Sequence, residues 1–141
     1  MNLTCPCHIG HVDGRVQTWS LQGYAKHRLL GHSNSVTSVS FNPDQTMLVS
    51  SSFDCSIRVW ALDSGQCVSF LPNVEFISPP TCAVSVHGQL VTCCSDGVRI
   101  YAALSSLDVF KLVKAPDSSK VSFVDNRIWV LLDGRLVIFK W

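Results

Sequence analysis

An all-β fold built from a repeat of about 40 residues is what this 141-residue sequence predicts. Three observations carry the prediction. Four segments open on an Asp in a turn and close on an aromatic: Asp13 to Trp19, Asp54 to Trp60, Asp96 to Tyr101 and Asp133 to Phe139. Those aromatics stand 41, 41 and 38 residues apart, a spacing too regular for chance. Between them the apolar residues come in short runs divided by turns, and no longer stretch carries a helical period.

The elements follow in chain order. Val16 to Trp19 reads as the third strand of its unit, after the Asp13-Gly14 turn. In the next unit Val36, Ser38 and Ser40 alternate with Thr37, Val39 and Phe41, and Asn42-Pro43-Asp44 supplies a turn. Met47-Leu48-Val49 and Ile57-Arg58-Val59-Trp60 follow, divided at Phe53-Asp54, and Asp63-Ser64-Gly65 leads into Cys67 to Phe70. The third unit runs through Cys82 to Val86, a His87-Gly88 turn, Leu90 to Cys93 and Val98 to Tyr101. The fourth has Val121 to Phe123, an Asp125-Asn126 turn, Ile128 to Leu132 and Leu136 to Phe139. Residues 1–12 are expected to form a partial strand or an irregular segment, and 13–141 the repeats, in units ending near 19, 60, 101 and 139.

Composition narrows the function classes. Hydrophobic residues make up 47% and charged residues 15%, enough for a core and too few charges for disorder. A net charge of +1, with Lys and Arg scattered singly, gives no electrostatic footprint for nucleic acid or an acidic membrane surface. No window approaches the roughly 18 apolar residues of a membrane-spanning helix. The opening Met1-Asn2-Leu3-Thr4-Cys5-Pro6 lacks the charged and apolar regions of a secretory signal. With seven cysteines, an odd number, the expectation is reduced thiols and a cytoplasmic or nuclear setting.

The second unit carries the most specific pattern. Leu30-Gly31-His32, Val36 to Phe41, Asn42-Pro43-Asp44, Leu48-Val49-Ser50-Ser51-Ser52, Asp54 and Trp60 stand in the order of a WD40 repeat, which this unit closely resembles. Ala61 replaces the Asp of the Trp-Asp pair, and only this unit keeps Gly-His. The resemblance weakens over the remainder of residues 9–141: Pro79-Pro80 favours an extended loop, and Phe139 stands where Trp would be. It implies a partial WD40-type β-propeller of antiparallel four-stranded blades, about three blades in an incomplete ring. The start cuts through a blade and the end falls after a third strand, as expected for the C-terminal blades of a longer propeller.

The resemblance also implies a structural hydrogen-bond network of His32, Ser50 or Ser52, Asp54 and Trp60. A partly buried Asp needs donors, which imidazole and indole N–H groups supply. Ser, His and Asp together also suggest a catalytic triad, but Ser50-Ser51-Ser52 has neither the sharp exposed turn nor the oxyanion hole that a nucleophile needs. No Gly-rich phosphate loop occurs. Cys5, Cys7, His8 and His11 are spaced too tightly for a usual structural zinc site. Neither catalytic residues, nor metal, nor cofactor is therefore expected.

Function is expected to be that of a protein–protein interaction scaffold or adaptor subunit. Ser35, Thr37 and Phe53 are the candidate partner-binding residues, with Val12, Ser95 and Leu132 at comparable places in the other units. Phe53 is the sharpest, as an aromatic at a turn; it either anchors a partner or packs against the adjoining blade. The alternative is a subunit of a ribonucleoprotein or nucleic-acid-associated complex, with no direct nucleic-acid contact and no membrane. Bare strand edges and an apolar flank call for self-association or completion by missing propeller blades.

Overall fold

The computed structural model describes residues 7–20, 22–72, 81–84, 88–94, 97–104, 109–113, 118–124, 127–132 and 135–140. All the regular structure among them is β. Among the described residues fourteen strands form four antiparallel sheets, each a blade. Blade 1 has β1 (Cys7–Gly10), β2 (Val16–Trp19) and β3 (Ala25–Leu29). Blade 2 has β4 (Val36–Phe41), β5 (Met47–Ser52), β6 (Ser56–Ala61) and β7 (Cys67–Leu71). Blade 3 has β8 (Thr81–Val84), β9 (Leu90–Cys94), β10 (Gly97–Tyr101) and β11 (Val109–Val113). Blade 4 has β12 (Ser118–Val124), β13 (Arg127–Leu132) and β14 (Arg135–Lys140).

Within each blade the strands pair in chain order, since short turns leave the nearest free edge as the next partner. β1 lies against β4, β4 against β8, and β8 against β12, so the blades stack side by side around an axis. Among the described residues no comparable contact joins the first blade to the last, and the propeller is open. The segment Cys7–Gly10 joins the first sheet, pairing Gly10 with Val16 and Ile9 with Gln17.

Two apolar layers hold blade 2 between its neighbours, because alternate residues of a strand face opposite sides of the sheet. On one side Leu48 and Trp60 pack with Val16 and Leu29 of blade 1. On the other, Val49, Ile57 and Val59 pack with Cys82, Leu90 and Tyr101 of blade 3. Burial on both faces explains why Leu48 through Ser52 are all buried, with no exposed alternate positions. Burial also drives the Cys82 thiol pKa up to about 11.

The alternation read along β4 breaks at one place. Val36 pairs with Ser52 and Ser38 with Ser51, leaving Thr37 as the extra residue of a bulge. Its side chain is half-buried and its Oγ1 lies 3.2 Å from the Ser51 carbonyl oxygen. Thr37, a candidate partner-binding residue, thus sits half-buried at the bulge with its hydroxyl turned toward β5.

Candidate functional site

Three connections meet at one end of blades 1 and 2: the turn 11–15 between β1 and β2, the loop 30–35 between β3 and β4, and the turn 53–55 between β5 and β6. Asp54 ties the last two together. Its Oδ2 accepts the Ser33 backbone N–H at 3.0 Å and lies 2.9 Å from His32 Nδ1. Its Oδ1 accepts the Ser56 backbone N–H at 3.0 Å and the Ser56 hydroxyl at 2.6 Å. On the far side of the imidazole, His32 Nε2 lies 2.8 Å from Ser50 Oγ, which accepts Trp60 Nε1–H at 2.8 Å.

One proton arrangement satisfies the chain of contacts: indole N–H to Ser50, Ser50 hydroxyl to Nε2, and Nδ1–H to Asp54. Burial lowers the His32 pKa and outweighs the opposing pull of Asp54, so the ring is neutral near pH 7. Burial alone would raise the Asp54 pKa, but the Ser56, Ser33 and His32 donors together hold it below the usual value. The His32–Asp54 contact is thus a hydrogen bond from a neutral ring to a carboxylate.

The structure therefore brings His32, Ser50, Asp54 and Trp60 into one network. Ser52 lies on the same face of β5 but serves the loop instead: its hydroxyl donates to the Asn34 carbonyl at 2.9 Å and accepts the Asp54 backbone N–H at 3.1 Å. Ser56 and the Ser33 amide are members that the sequence reading missed. The Asp54 side chain, two residues before a small hydroxyl residue at a strand start, is the signal that could have found Ser56.

A second set of bonds joins this turn to blade 1. The Phe53 N–H donates to the Ser35 carbonyl at 3.0 Å, and the Val36 N–H to the His11 carbonyl at 3.0 Å. The Ser35 hydroxyl donates to the Val12 carbonyl at 2.9 Å. Gly14, at φ 84°, lets the first turn come this close, because a Cβ there would collide with the His32 carbonyl. Cys55 occupies the corresponding turn position of blade 2 at φ 62°, a left-handed conformation that disfavours any side chain.

What this scaffolding holds outward is apolar. Val12 is 84% exposed and Phe53 50% exposed, with Ser35 bonded to both of their backbones. Phe53 is thus half in solvent at the turn. Ser95, Cys5, Asp96 and the Asp133-Gly134 turn lie outside the described residues, as do the side chains of Cys7, His8, Cys93, Cys94 and Leu132. Among the described residues no group of His, Cys, Asp and Glu is arranged to hold a metal ion.

The triad-like distances of Ser50, His32 and Asp54 carry no hydrolytic geometry. Ser50 is fully buried, Trp60 is buried beside it, and the hydroxyl is already engaged on both sides. A substrate carbonyl has no approach to Oγ.

Comparison with known proteins agrees with this architecture. Residues 23–61 match the family model described as WD domain, G-beta repeat. Transducin beta-like protein 3 of Rattus norvegicus is 31% identical over 116 residues, covering 75% of this chain and 14% of that protein. The chain thus spans only a small part of that relative. Among solved structures, the β-propeller domain of Cps50 (Swd1) from Myceliophteria thermophila superposes with a TM-score of 0.77 at 19% identity, over 97% of this chain and 51% of that one. The C-terminal WD40 domain of Sif2 gives 0.77 at 18% identity, over 92% and 38%. The fold is that of a WD40 propeller, and the outer strand of blade 1 with the first three strands of blade 2 matches a WD40 repeat.

Proposed function

We infer that this chain, which carries a WD40 repeat within a WD40 propeller fold, is a protein-interaction scaffold or adaptor subunit that docks other proteins on the rim around Phe53. One observation supports the reading above the others. An aromatic and an aliphatic side chain, Phe53 and Val12, stand in solvent on backbones cross-braced through Ser35. An exposed aromatic on a rigid turn can anchor a partner at low ordering cost. The buried His32–Asp54–Ser50–Trp60 network supplies the rigidity and no chemistry. Fold alone does not select a function, so the reading rests on this rim.

A ribonucleoprotein or nucleic-acid-associated complex is the second reading, and with a net charge of +1 such an association would run through protein contacts and resist salt. Free thiols at Cys55, Cys67 and Cys82 suit the reducing cytoplasm or nucleus.

The test is site-specific photo-crosslinking in cells. A photoreactive residue at position 53 should capture a defined protein, whereas one at Asp63, in the β6–β7 turn at the opposite end of the blade, should not. Equal capture from both positions, or none from position 53, overturns the reading.

A further inference from the structure

A cleft of about 610 Å³ opens between blades 1 and 2 at the end opposite Phe53, within the range of about 300–1,000 Å³ of small-molecule sites. Its floor is apolar: Phe41 and Leu62, which pack on the layer of Val16, Leu29, Leu48 and Trp60 between the two blades. Its walls differ in charge. Lys26 of β3 lines it from blade 1, and Asp44 and Asp63 line it from the β4–β5 and β6–β7 turns of blade 2. Both walls are braced. The Leu62 N–H donates to the Thr46 carbonyl at 2.8 Å and ties the two acidic turns together. Asp44 Oδ1 accepts the Thr46 N–H at 3.1 Å and the Thr46 hydroxyl at 2.7 Å. Beside Lys26, the His27 N–H donates to Thr18 Oγ1 at 3.1 Å, and the His27 carbonyl accepts the Gln17 amide at 2.8 Å. Gly65, at φ 71°, lets the β6–β7 turn close on the His27 ring, since a Cβ there would stand 3.0 Å from Nδ1. The opposite charges nonetheless do not meet. Among the described residues the Lys26 ammonium and the Asp63 carboxylate have no ion-pair or hydrogen-bond partner.

We propose that this cleft binds a small apolar zwitterion of dipeptide size, its ammonium held by Asp63 and Asp44 and its carboxylate by Lys26. Charge complementarity selects the class. A ligand carrying only an anionic group would meet two carboxylates on the blade 2 wall, and one carrying only a cation would leave Lys26 unpaired. A zwitterion answers both walls at once. Length selects the size: two residues of extended chain span about 7 Å, most of the roughly 10 Å between packed sheets. The floor of Phe41 and Leu62 then calls for apolar side chains on the ligand. Because the walls are braced before the ligand arrives, little ordering cost falls on binding. This inference does not depend on what docks at Phe53, which lies at the other end of the blade.

The test is an NMR titration of the isotope-labelled protein with leucyl-leucine and three analogues. Leucyl-leucinamide lacks the carboxylate, N-acetyl-leucyl-leucine lacks the ammonium, and glycyl-glycine lacks the apolar side chains. Leucyl-leucine should bind with a Kd of about 1 mM or tighter, shifting the amides of residues 41–47 and 61–65. Each analogue should bind about ten-fold more weakly, the loss of one charge-assisted contact or of the apolar packing. Lys26→Met should weaken leucyl-leucine about ten-fold and leave the amide analogue unchanged, since that analogue has nothing to give Lys26. Asp63→Asn should weaken leucyl-leucine and leave the acetylated analogue unchanged. Both side chains are exposed, so each variant should keep the wild-type far-ultraviolet spectrum. If one does not, the analogue series on the wild-type protein still decides the matter. Absence of leucyl-leucine binding at several millimolar overturns the proposal. So does equal affinity for the acetylated or amidated form, which would assign the cleft to a chain terminus instead, or leucyl-leucine binding that neither variant weakens.

Discussion

Replacing Ser50 with Ala removes a hydroxyl that two buried groups share. The Trp60 indole N–H, at 2.8 Å, loses its acceptor, and His32 Nε2, at 2.8 Å, loses its donor. Neither can turn to water, since Trp60 and His32 are both buried. Leaving a buried polar group without its partner costs about 1–3 kcal/mol. Two such losses at about 1.5 kcal/mol each come to about 3 kcal/mol. Small domains have a total stability of only about 5–15 kcal/mol, so the change should be plain in urea unfolding, where a slope near 2 kcal/mol per molar puts the midpoint shift at about 1.5 M. Trp60→Phe removes the donor first, so Ser50→Ala should cost less in that background, with a coupling of about 1–2 kcal/mol. Ser51→Ala, one residue on and facing blade 3, is the control and should cost about 1 kcal/mol. A Ser50→Ala cost no larger than that of Ser51→Ala, or strict additivity with Trp60→Phe, would refute the network.

Acid should weaken the fold in two stages. The His32 pKa is lowered by burial, so between its folded value and 6.5 the unfolded chain binds more protons and stability falls as pH drops. Asp54, also lowered, adds a second loss as pH falls below 3.8. The Tm difference between wild type and His32→Gln should therefore shrink from pH 7 to pH 5; a constant difference contradicts the assignment. Cys55→Gly should relieve the left-handed turn, the gain of about 1–2 kcal/mol being offset by about 0.5–1 kcal/mol of glycine entropy, for a net rise in Tm of about 2 °C. An unchanged or lower Tm would show that the turn is not strained. An alkylating reagent at pH 8 should label Cys55 and Cys67 in the native chain, and Cys82, with its thiol near 11 and buried, only after unfolding; peptide mapping reads the difference.

Strands flanking the turns were legible because their apolar runs are dense: Val36–Phe41 is read from the sequence with the bounds that the structure gives. The outer strands β3 and β11 were not anticipated. Ala25-Lys26-His27-Arg28-Leu29 is largely exposed, so it lacks the hydrophobic signal that burial imposes elsewhere. The choice between Ser50 and Ser52 was open because residues two apart share a face. Register decides it: Leu48 pairs with Trp60, which sets Ser50 diagonally beside the indole. The bulge at Thr37 depends on how β4 meets β5, a pairing that no local pattern encodes. Val12 and Phe53 stood out as turn residues, but their joining through Ser35 emerges only when blades 1 and 2 are brought together.

In the proposed division of roles, the rim around Phe53 serves binding while the network beneath it serves rigidity. The most direct test measures Phe53→Ala twice, in Tm and in affinity for the protein crosslinked at position 53. An anchor worth about 2 kcal/mol predicts a Kd about 30-fold weaker with Tm within about 1 °C of wild type. An unchanged Kd, or a Tm lowered by several degrees, would contradict it and make Phe53 a packing residue.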